Sequence, residues 1–154
     1  MSSITAEVST TAERDRARHA LIPVAAASFL VAAFFDLARA DSAGEALSMV
    51  AFGLLVVCLL YPLVVARGLR AENSAGRALV LGVLGVLLIV PAFWTGLPMI
   101  LGAAAALLGY AGRGSGTGAG RATAAFVLGT LSMVGYVAFY VSDWLANPGA
   151  TWWS

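Results

Sequence analysis

Charged residues are scarce in this sequence, and the residue types that most often bind metals or carry catalysis are nearly absent. Only 11% of the 154 residues are charged, all nine basic residues are arginine, and there is one histidine and one cysteine. Cys58 cannot form an intramolecular disulfide without a second cysteine. With His19 as the single histidine, no group of residues has the spacing of metal ligands. The sequence therefore predicts no metal site, no cofactor and no catalytic residue.

The absence of lysine decides how a glycine-rich stretch is interpreted. Residues 109–123 read GYAGRGSGTGAGRAT and precede an apolar run. A phosphate-binding P-loop requires a lysine at the start of the following helix, and a dinucleotide fingerprint requires a preceding strand. Neither requirement is met, so we expect no nucleotide here. The stretch is predicted to be a flexible hairpin anchored by Arg113 and Arg121, and the net charge of +1 does not favour nucleic acid as a partner.

Apolar residues are abundant. Hydrophobic residues make up 60% of the chain, and its mean hydropathy is +0.89. A folded chain of this length still exposes about a third of the surface that its unfolded form exposes. The few charged residues cannot cover that surface, so we expect the lipid bilayer to be the main solvent. The predicted fold class is all-α, an integral membrane helical bundle.

Five apolar helical segments are predicted, over residues 20–35, 46–66, 78–93, 97–110 and 122–141. They form a transmembrane domain over 19–145. A disordered cytoplasmic tail over 1–18 is expected before it, and a short aromatic tail over 146–154 after it.

The third and fourth segments divide one apolar run over 78–110. A straight helix of that length would be ~50 Å long, well beyond a hydrocarbon core of ~30 Å. Pro91, Gly96 and Pro98 interrupt the run and form the predicted hinge. Two arrangements remain open: five spans, or three spans plus a re-entrant helical hairpin.

The distribution of arginine predicts the orientation. Five spans with the N-terminus inside place eight arginines on the inner side and only Arg39 on the outer side. A single crossing by 78–110 would reduce this to six against three, so the positive-inside rule favours five. We expect a bacterial cytoplasmic membrane, with the C-terminus outside. A cleaved signal peptide is an alternative for the first segment, because Ala38 and Ala40 precede Asp41 in a cleavage-site pattern.

The final segment carries a polar stripe. Its members recur at intervals of four, four and three residues and so share one helical face: Ser132, Tyr136, Tyr140 and Asp143. This face is a candidate for a hydrated pathway. The favoured interpretation is that the tyrosines belong to an interfacial aromatic belt and that Ser132 bonds back to its own helix.

Four acids fall on the predicted outer side: Asp36, Asp41, Glu45 and Asp143. Solvated loop residues are the favoured interpretation, and a cation-binding rim is the alternative.

Small residues spaced four apart let membrane helices approach closely. Three such pairs predict packing between the last three segments: Gly102 with Ala106, Ala105 with Gly109, and Ala125 with Gly129. Self-association through them is the minority alternative.

The second half of the chain resembles a largely actinobacterial family of small multi-pass membrane proteins of unknown function. The matching features are an LVLGVLG opening with glycines, a glycine-bearing second segment, a basic glycine-rich turn and a final segment with Leu-Gly: Gly82, Gly85, Gly102, Gly109, residues 113–121, Leu128 and Gly129. The resemblance implies membrane architecture and no particular reaction.

We therefore expect a non-enzymatic accessory or scaffold subunit that packs against itself or a larger membrane protein. The alternative is a small transporter or channel whose pathway follows the Ser132 to Asp143 face.

Overall fold

The computed structural model describes residues 2–40, 42–70, 74–114 and 118–147, and their side chains from residue 12 onward. All regular secondary structure in these ranges is helical. The helices are α1 (Ser2–Arg39), α2 (Ala43–Leu60), α3 (Ala66–Arg70), α4 (Ser74–Leu87), α5 (Leu97–Gly112) and α6 (Ala119–Ala146). The predicted all-α fold class is confirmed at this level.

Helix α1 differs from the prediction at both of its ends. The disordered tail predicted over 1–18 is helical from Ser2 onward. Residues 12–18 consist of alanine, glutamate, aspartate and arginine, mostly strong helix formers, and Ala17 is buried in the core. The helix also continues past Phe35, the predicted end of the first segment, to Arg39. Asp36 therefore lies within a helix and not in a loop.

A π-helical turn joins α2 to α3. Residues Tyr61–Val65 form it, and the amide of Ala66 donates to the carbonyl of Tyr61, five residues earlier. Pro62 explains the widened turn, because its ring has no N–H and collides with the preceding turn of a regular α-helix. The helix nevertheless continues from Ala43 to Arg70.

The predicted break lies between α4 and α5. A turn over 88–92 is followed by a 3₁₀ turn at Phe93–Thr95. Gly96 then takes a φ of 65°, a left-handed conformation that favours glycine. Pro98 lies in the first turn of α5, where its missing N–H costs little. Among the three predicted hinge residues, Gly96 is the one with unusual backbone geometry.

Three helical stretches are long and apolar enough to cross a membrane: Ala12–Arg39, Ala43–Arg70 and Ala119–Ala146. Helices α4 and α5 are also apolar but shorter, with 14 and 16 residues. Large apolar side chains of α2 and α6, such as Leu47, Leu55 and Val134, remain exposed. These features fit a membrane-embedded protein.

Helix α5 occupies the centre of the bundle and packs against α1, α4 and α6. It meets α6 almost backbone to backbone. A Cβ atom at Gly102 would lie 2.7 Å from the carbonyl oxygen of Gly129, and one at Gly109 would lie 2.6 Å from the amide nitrogen of Phe126. Five of the candidate packing residues line this contact: Gly102, Ala105, Ala106, Gly109 and Gly129. The sixth, Ala125, is buried, and its carbonyl oxygen would lie 3.3 Å from a Cβ atom at Gly82 of α4.

The two ends of the bundle differ in charge. At one end α3 and α5 stop and α4 and α6 begin, since a Cβ atom at Gly112 would lie 3.1 Å from that of Ala122 and 3.5 Å from Ser74 Oγ. We call this the arginine end, after Arg67, Arg70, Arg77, Arg113 and Arg121. The opposite end, where α1 and α6 stop, is called the aspartate end, after Asp36, Arg39 and Asp143.

Candidate functional site

Asp36 is the most unusual polar residue of the bundle. It lies in the last turn of α1 with only 3% of its surface exposed. A carboxyl group in an apolar interior is costly unless the fold supplies hydrogen bonds, and ionisable groups in membrane helices often mark functional sites. We therefore take Asp36 and its neighbours as the candidate site.

Two tyrosines of α6 bind the carboxylate. The hydroxyl of Tyr140 donates to Oδ1 of Asp36 at 3.2 Å, and the hydroxyl of Tyr136 approaches the same oxygen at 3.4 Å. Their spacing of four residues places both on one face of α6. Hydrogen bonds to a charged acceptor are stronger than those between neutral groups. The pair therefore ties the end of α1 to α6.

The second oxygen of Asp36 faces the start of α5. Gly96 is the residue that precedes α5. A Cβ atom at this position would lie 3.2 Å from Oδ2 of Asp36 and 2.7 Å from the Cβ atom of Ala32 in α1. The N-terminus of a helix carries a partial positive charge, which favours a nearby carboxylate. Glycine at position 96 thus permits both the left-handed turn and the close approach of α1.

Aromatic rings surround these hydrogen bonds. Phe35 stacks on Tyr140 with ring centroids 4.9 Å apart and meets Tyr136 edge-on at 5.9 Å. Phe93 lies 5.8 Å from the ring of Tyr140, and its carbonyl oxygen is 3.4 Å from the hydroxyl of Tyr140. The rings keep water away from the carboxylate, which strengthens its hydrogen bonds.

An ion pair closes the rim of this cluster. Arg39, one turn after Asp36, pairs with Asp143 of α6. The two side chains are 38% and 29% exposed. Solvent therefore screens the pair, and it contributes less than the buried bonds beneath it.

Ser132 lies deeper along the same face of α6. It is 0% exposed, and its hydroxyl donates to the carbonyl oxygen of Pro98 in α5 at 2.8 Å. The expected bond back to its own helix is not the one that forms. The reason is that α5 and α6 approach closely enough for a serine to reach the partner helix.

The structure thus brings Ser132, Tyr136, Tyr140 and Asp143 to one inward face, as their spacing predicts. Tyr136 and Tyr140 are buried against Asp36, so neither belongs to an interfacial aromatic belt as favoured from the sequence. The stripe is packed against α1 and α5 and does not line a hydrated surface in this conformation.

Sequence reasoning missed the role of Asp36, which was expected to be a solvated loop acid. A signal was present: residues spaced three and four apart form one buried face of α1, namely Ala25, Ser28, Ala32 and Asp36. The small residues of this series mark the side that packs inward, and Asp36 continues it by one turn.

The two remaining predicted outer acids are Glu45 and Asp41. Glu45 lies in the first turn of α2, where its amide donates to the N-cap Ser42, and Asp41 lies outside the described residues. Across the described part of the chain, no three His, Cys, Asp or Glu side chains are grouped as metal ligands would be.

The hydrogen bonds of Asp36 with Tyr136 and Tyr140 hold α1 against α6, and we call these three residues the clamp. One carboxylate accepts hydrogen bonds from α6 and lies beside the start of α5, while its own helix supplies the arginine of the rim pair. Comparisons with protein families, with curated proteins and with solved structures find no match to this chain.

Proposed function

We propose that this protein is a non-enzymatic accessory or scaffold subunit of a membrane assembly. The observation that carries the proposal is the internal pairing of the polar face of α6. Tyr136 and Tyr140 bind Asp36, Ser132 binds Pro98, and Asp143 binds Arg39. Polar groups used in this way hold helices together and are not presented to a substrate.

The exposed surface of α2 is consistent with such a role. This helix packs mainly on α1 and leaves large apolar side chains uncovered, among them Leu47, Phe52, Leu55 and Leu59. In a bilayer this surface is available to lipid or to the apolar helix of a larger membrane protein.

We further propose that all five apolar segments cross a bacterial cytoplasmic membrane, with the N-terminus inside and the C-terminus outside. The break between α4 and α5 supports crossing over a re-entrant hairpin. Gly96 and Phe93 contact Asp36 and Tyr140, which lie near the ends of α1 and α6. The break is therefore level with the ends of two long helices, and the arginine end faces the cytoplasm by the positive-inside rule.

Cysteine labelling tests this orientation. In a Cys58→Ser background, Gly44→Cys and Gly76→Cys introduce thiols at exposed sites where a side chain meets nothing within 4 Å. A membrane-impermeant maleimide applied from outside should label position 44 and not 76. Trp94→Cys, in the break, should also be labelled from outside, whereas a re-entrant hairpin would leave it protected.

A small transporter or channel is the second candidate. It is favoured by Asp36, an ionisable residue inside the bundle of the kind that carries ions in many transporters. Its pathway would follow the Ser132 to Asp143 face and would require the clamp to open.

Purification in mild detergent separates the two functions. A larger membrane protein that co-purifies in stoichiometric amount, together with liposomes that show no ion flux, would support the accessory role. A homo-oligomer that conducts ions in liposomes, with flux abolished by Asp36→Asn, would overturn it in favour of transport.

A further inference from the structure

We propose that the arginine end binds the phosphate of anionic phospholipid headgroups, with the guanidinium of Arg113 at the centre of the site. This goes beyond the accessory role and does not depend on it. The arginines concerned lie far apart along the chain, and folding brings their helix ends together.

The placement follows from contacts between helix ends. Gly112, next to Arg113, lies against Ala122 at the start of α6 and against Ser74 at the start of α4. Gly68 of α3 packs against Leu108 of α5, since a Cβ atom there would lie 2.9 Å from a Leu108 methyl carbon. The ends that carry Arg67, Arg70, Arg77, Arg113 and Arg121 therefore adjoin one another.

Arg113 is held in place by aromatic rings. Its guanidinium carbon lies 3.8 Å above the centre of the Phe126 ring and 5.8 Å from that of Tyr110. Its Nε is buried and has no hydrogen-bond partner among the described residues. Stacking covers the face of a guanidinium and not its edges, so the two Nη groups of Arg113 can each donate to a phosphate oxygen.

No acid in the described part of the chain forms an ion pair with these arginines. The ion pairs found there are Arg18 with Asp15 and Arg39 with Asp143, and neither includes an arginine of α3 to α6. Glu72 lies outside the described residues. Two helices begin and two helices end at the arginine end, so their dipoles roughly cancel. The positive potential there comes from the arginine side chains.

The position along the membrane normal selects the ligand. Helix α5 begins beside Asp36 and ends at the arginine end, and its 16 residues advance by ~24 Å. With Asp36 near one boundary of a ~30 Å hydrocarbon core, the long arginine side chains reach the headgroups at the other. Each basic residue near an anionic membrane surface contributes about a fivefold gain in affinity. A cluster from several helices is then a substantial lipid site, whereas Arg113 and Arg121 alone are a weak one.

Native mass spectrometry of the detergent-purified full chain tests the proposal. The probes are phosphatidylglycerol, phosphatidylcholine and inorganic phosphate. We expect phosphatidylglycerol to bind at least about tenfold more tightly than phosphatidylcholine, and millimolar inorganic phosphate to leave this binding unchanged. Equal binding of the two lipids would overturn the proposal, and competition by inorganic phosphate would overturn its assignment to a lipid.

Two sets of variants locate the site. Arg113→Gln should weaken phosphatidylglycerol binding by about fivefold, whereas Arg39→Gln at the aspartate end, the matched control, should leave it unchanged. If Arg113→Gln does not fold, the double variant of the exposed Arg77→Gln and Arg121→Gln takes its place, with an expected loss of about tenfold or more. If Arg39→Gln weakens phosphatidylglycerol binding as much as the variants of the arginine end do, a site at that end is contradicted.

Discussion

The aspartate end and the arginine end use their charges differently. Asp36, Arg39 and Asp143 all have partners within the protein. In contrast, Arg67, Arg70, Arg77, Arg113 and Arg121 form no ion pair with another described residue. The charged residues of the aspartate end lie where α1, α5 and α6 meet. The arginines of the arginine end lie at helix ends that already pack through small residues. Charge at one end stabilises the fold, and charge at the other end is available to the surroundings.

The difference also follows from depth. Asp36 lies a full turn inside the rim, where a carboxylate without partners would be strongly disfavoured. Arginines at the ends of helices can extend toward headgroups and water through their long side chains. A buried acid therefore requires a specific partner, whereas an arginine at an exposed helix end does not. Three predictions test this comparison, in order of expected effect.

The largest effect is expected from removing both hydroxyls that bind Asp36. The double variant Tyr136→Phe, Tyr140→Phe should lower the free energy of unfolding by about 2–4 kcal/mol, because two hydrogen bonds to a buried carboxylate are lost. Unfolding in mixed micelles of increasing SDS content measures the change. Adding Asp36→Asn should recover part of the loss, since the uncompensated charge is then removed.

Tyr61→Phe is the matched control for this variant. Its buried hydroxyl lies 3.2 Å from that of Ser28, so its hydrogen bond is between neutral groups. We expect a loss of about 1 kcal/mol. If the double variant of Tyr136 and Tyr140 is at least as stable as Tyr61→Phe, the two tyrosines do not stabilise the carboxylate of Asp36.

A smaller effect is expected at the turn that faces Asp36. Gly96→Ala should lower the free energy of unfolding by about 1–3 kcal/mol, because alanine is strained at a φ of 65° and its methyl group would meet Ala32. Gly44→Ala, on an open face of α2, should be neutral or stabilising by up to about 1 kcal/mol. Equal stabilities of the two alanine variants, from the same SDS titration, would contradict this account of the turn.

The smallest effect is expected at the rim. Arg39→Gln should cost about 0.2–1 kcal/mol, since its ion pair with Asp143 is partly exposed, and the cost should shrink at high salt. Arg77→Gln should change stability by no more than about 0.5 kcal/mol at any salt concentration. Thermal unfolding at two ionic strengths measures both changes. A salt-dependent loss of stability in Arg77→Gln would show that charges at the arginine end also stabilise the fold.

Much of the architecture is predictable from the sequence because it depends on local composition. Apolar runs of about twenty residues match the bilayer in length, and Pro91 with Gly96 interrupts the one run that is too long. The helix over residues 2–18 differs from the predicted disorder, because a segment without apolar periodicity can still be helical where alanine, glutamate and arginine predominate, as they do over 12–18. Pro62 indicates a local distortion within the second segment, and the structure shows that this distortion is a π-helical turn.

The site was less predictable because its parts are distant in sequence. One hundred residues separate Asp36 from Tyr136. Periodicity shows that Tyr136 and Tyr140 share a face, yet it does not show which way that face turns. The sequence shows the polar stripe of α6 and the acid Asp36 separately, but it does not show that they are in contact.

Composition and the spacing of arginines therefore establish an apolar helical chain with an asymmetric distribution of charge, since both depend on residue type and position alone. Tertiary packing establishes that Asp36 is buried in the clamp and that arginines from several helices meet at one end. The physical reason is rotation: a helix exposes or buries a given side chain according to how it turns about its axis. For α1, α5 and α6 that rotation follows from the close approach of small residues on neighbouring helices.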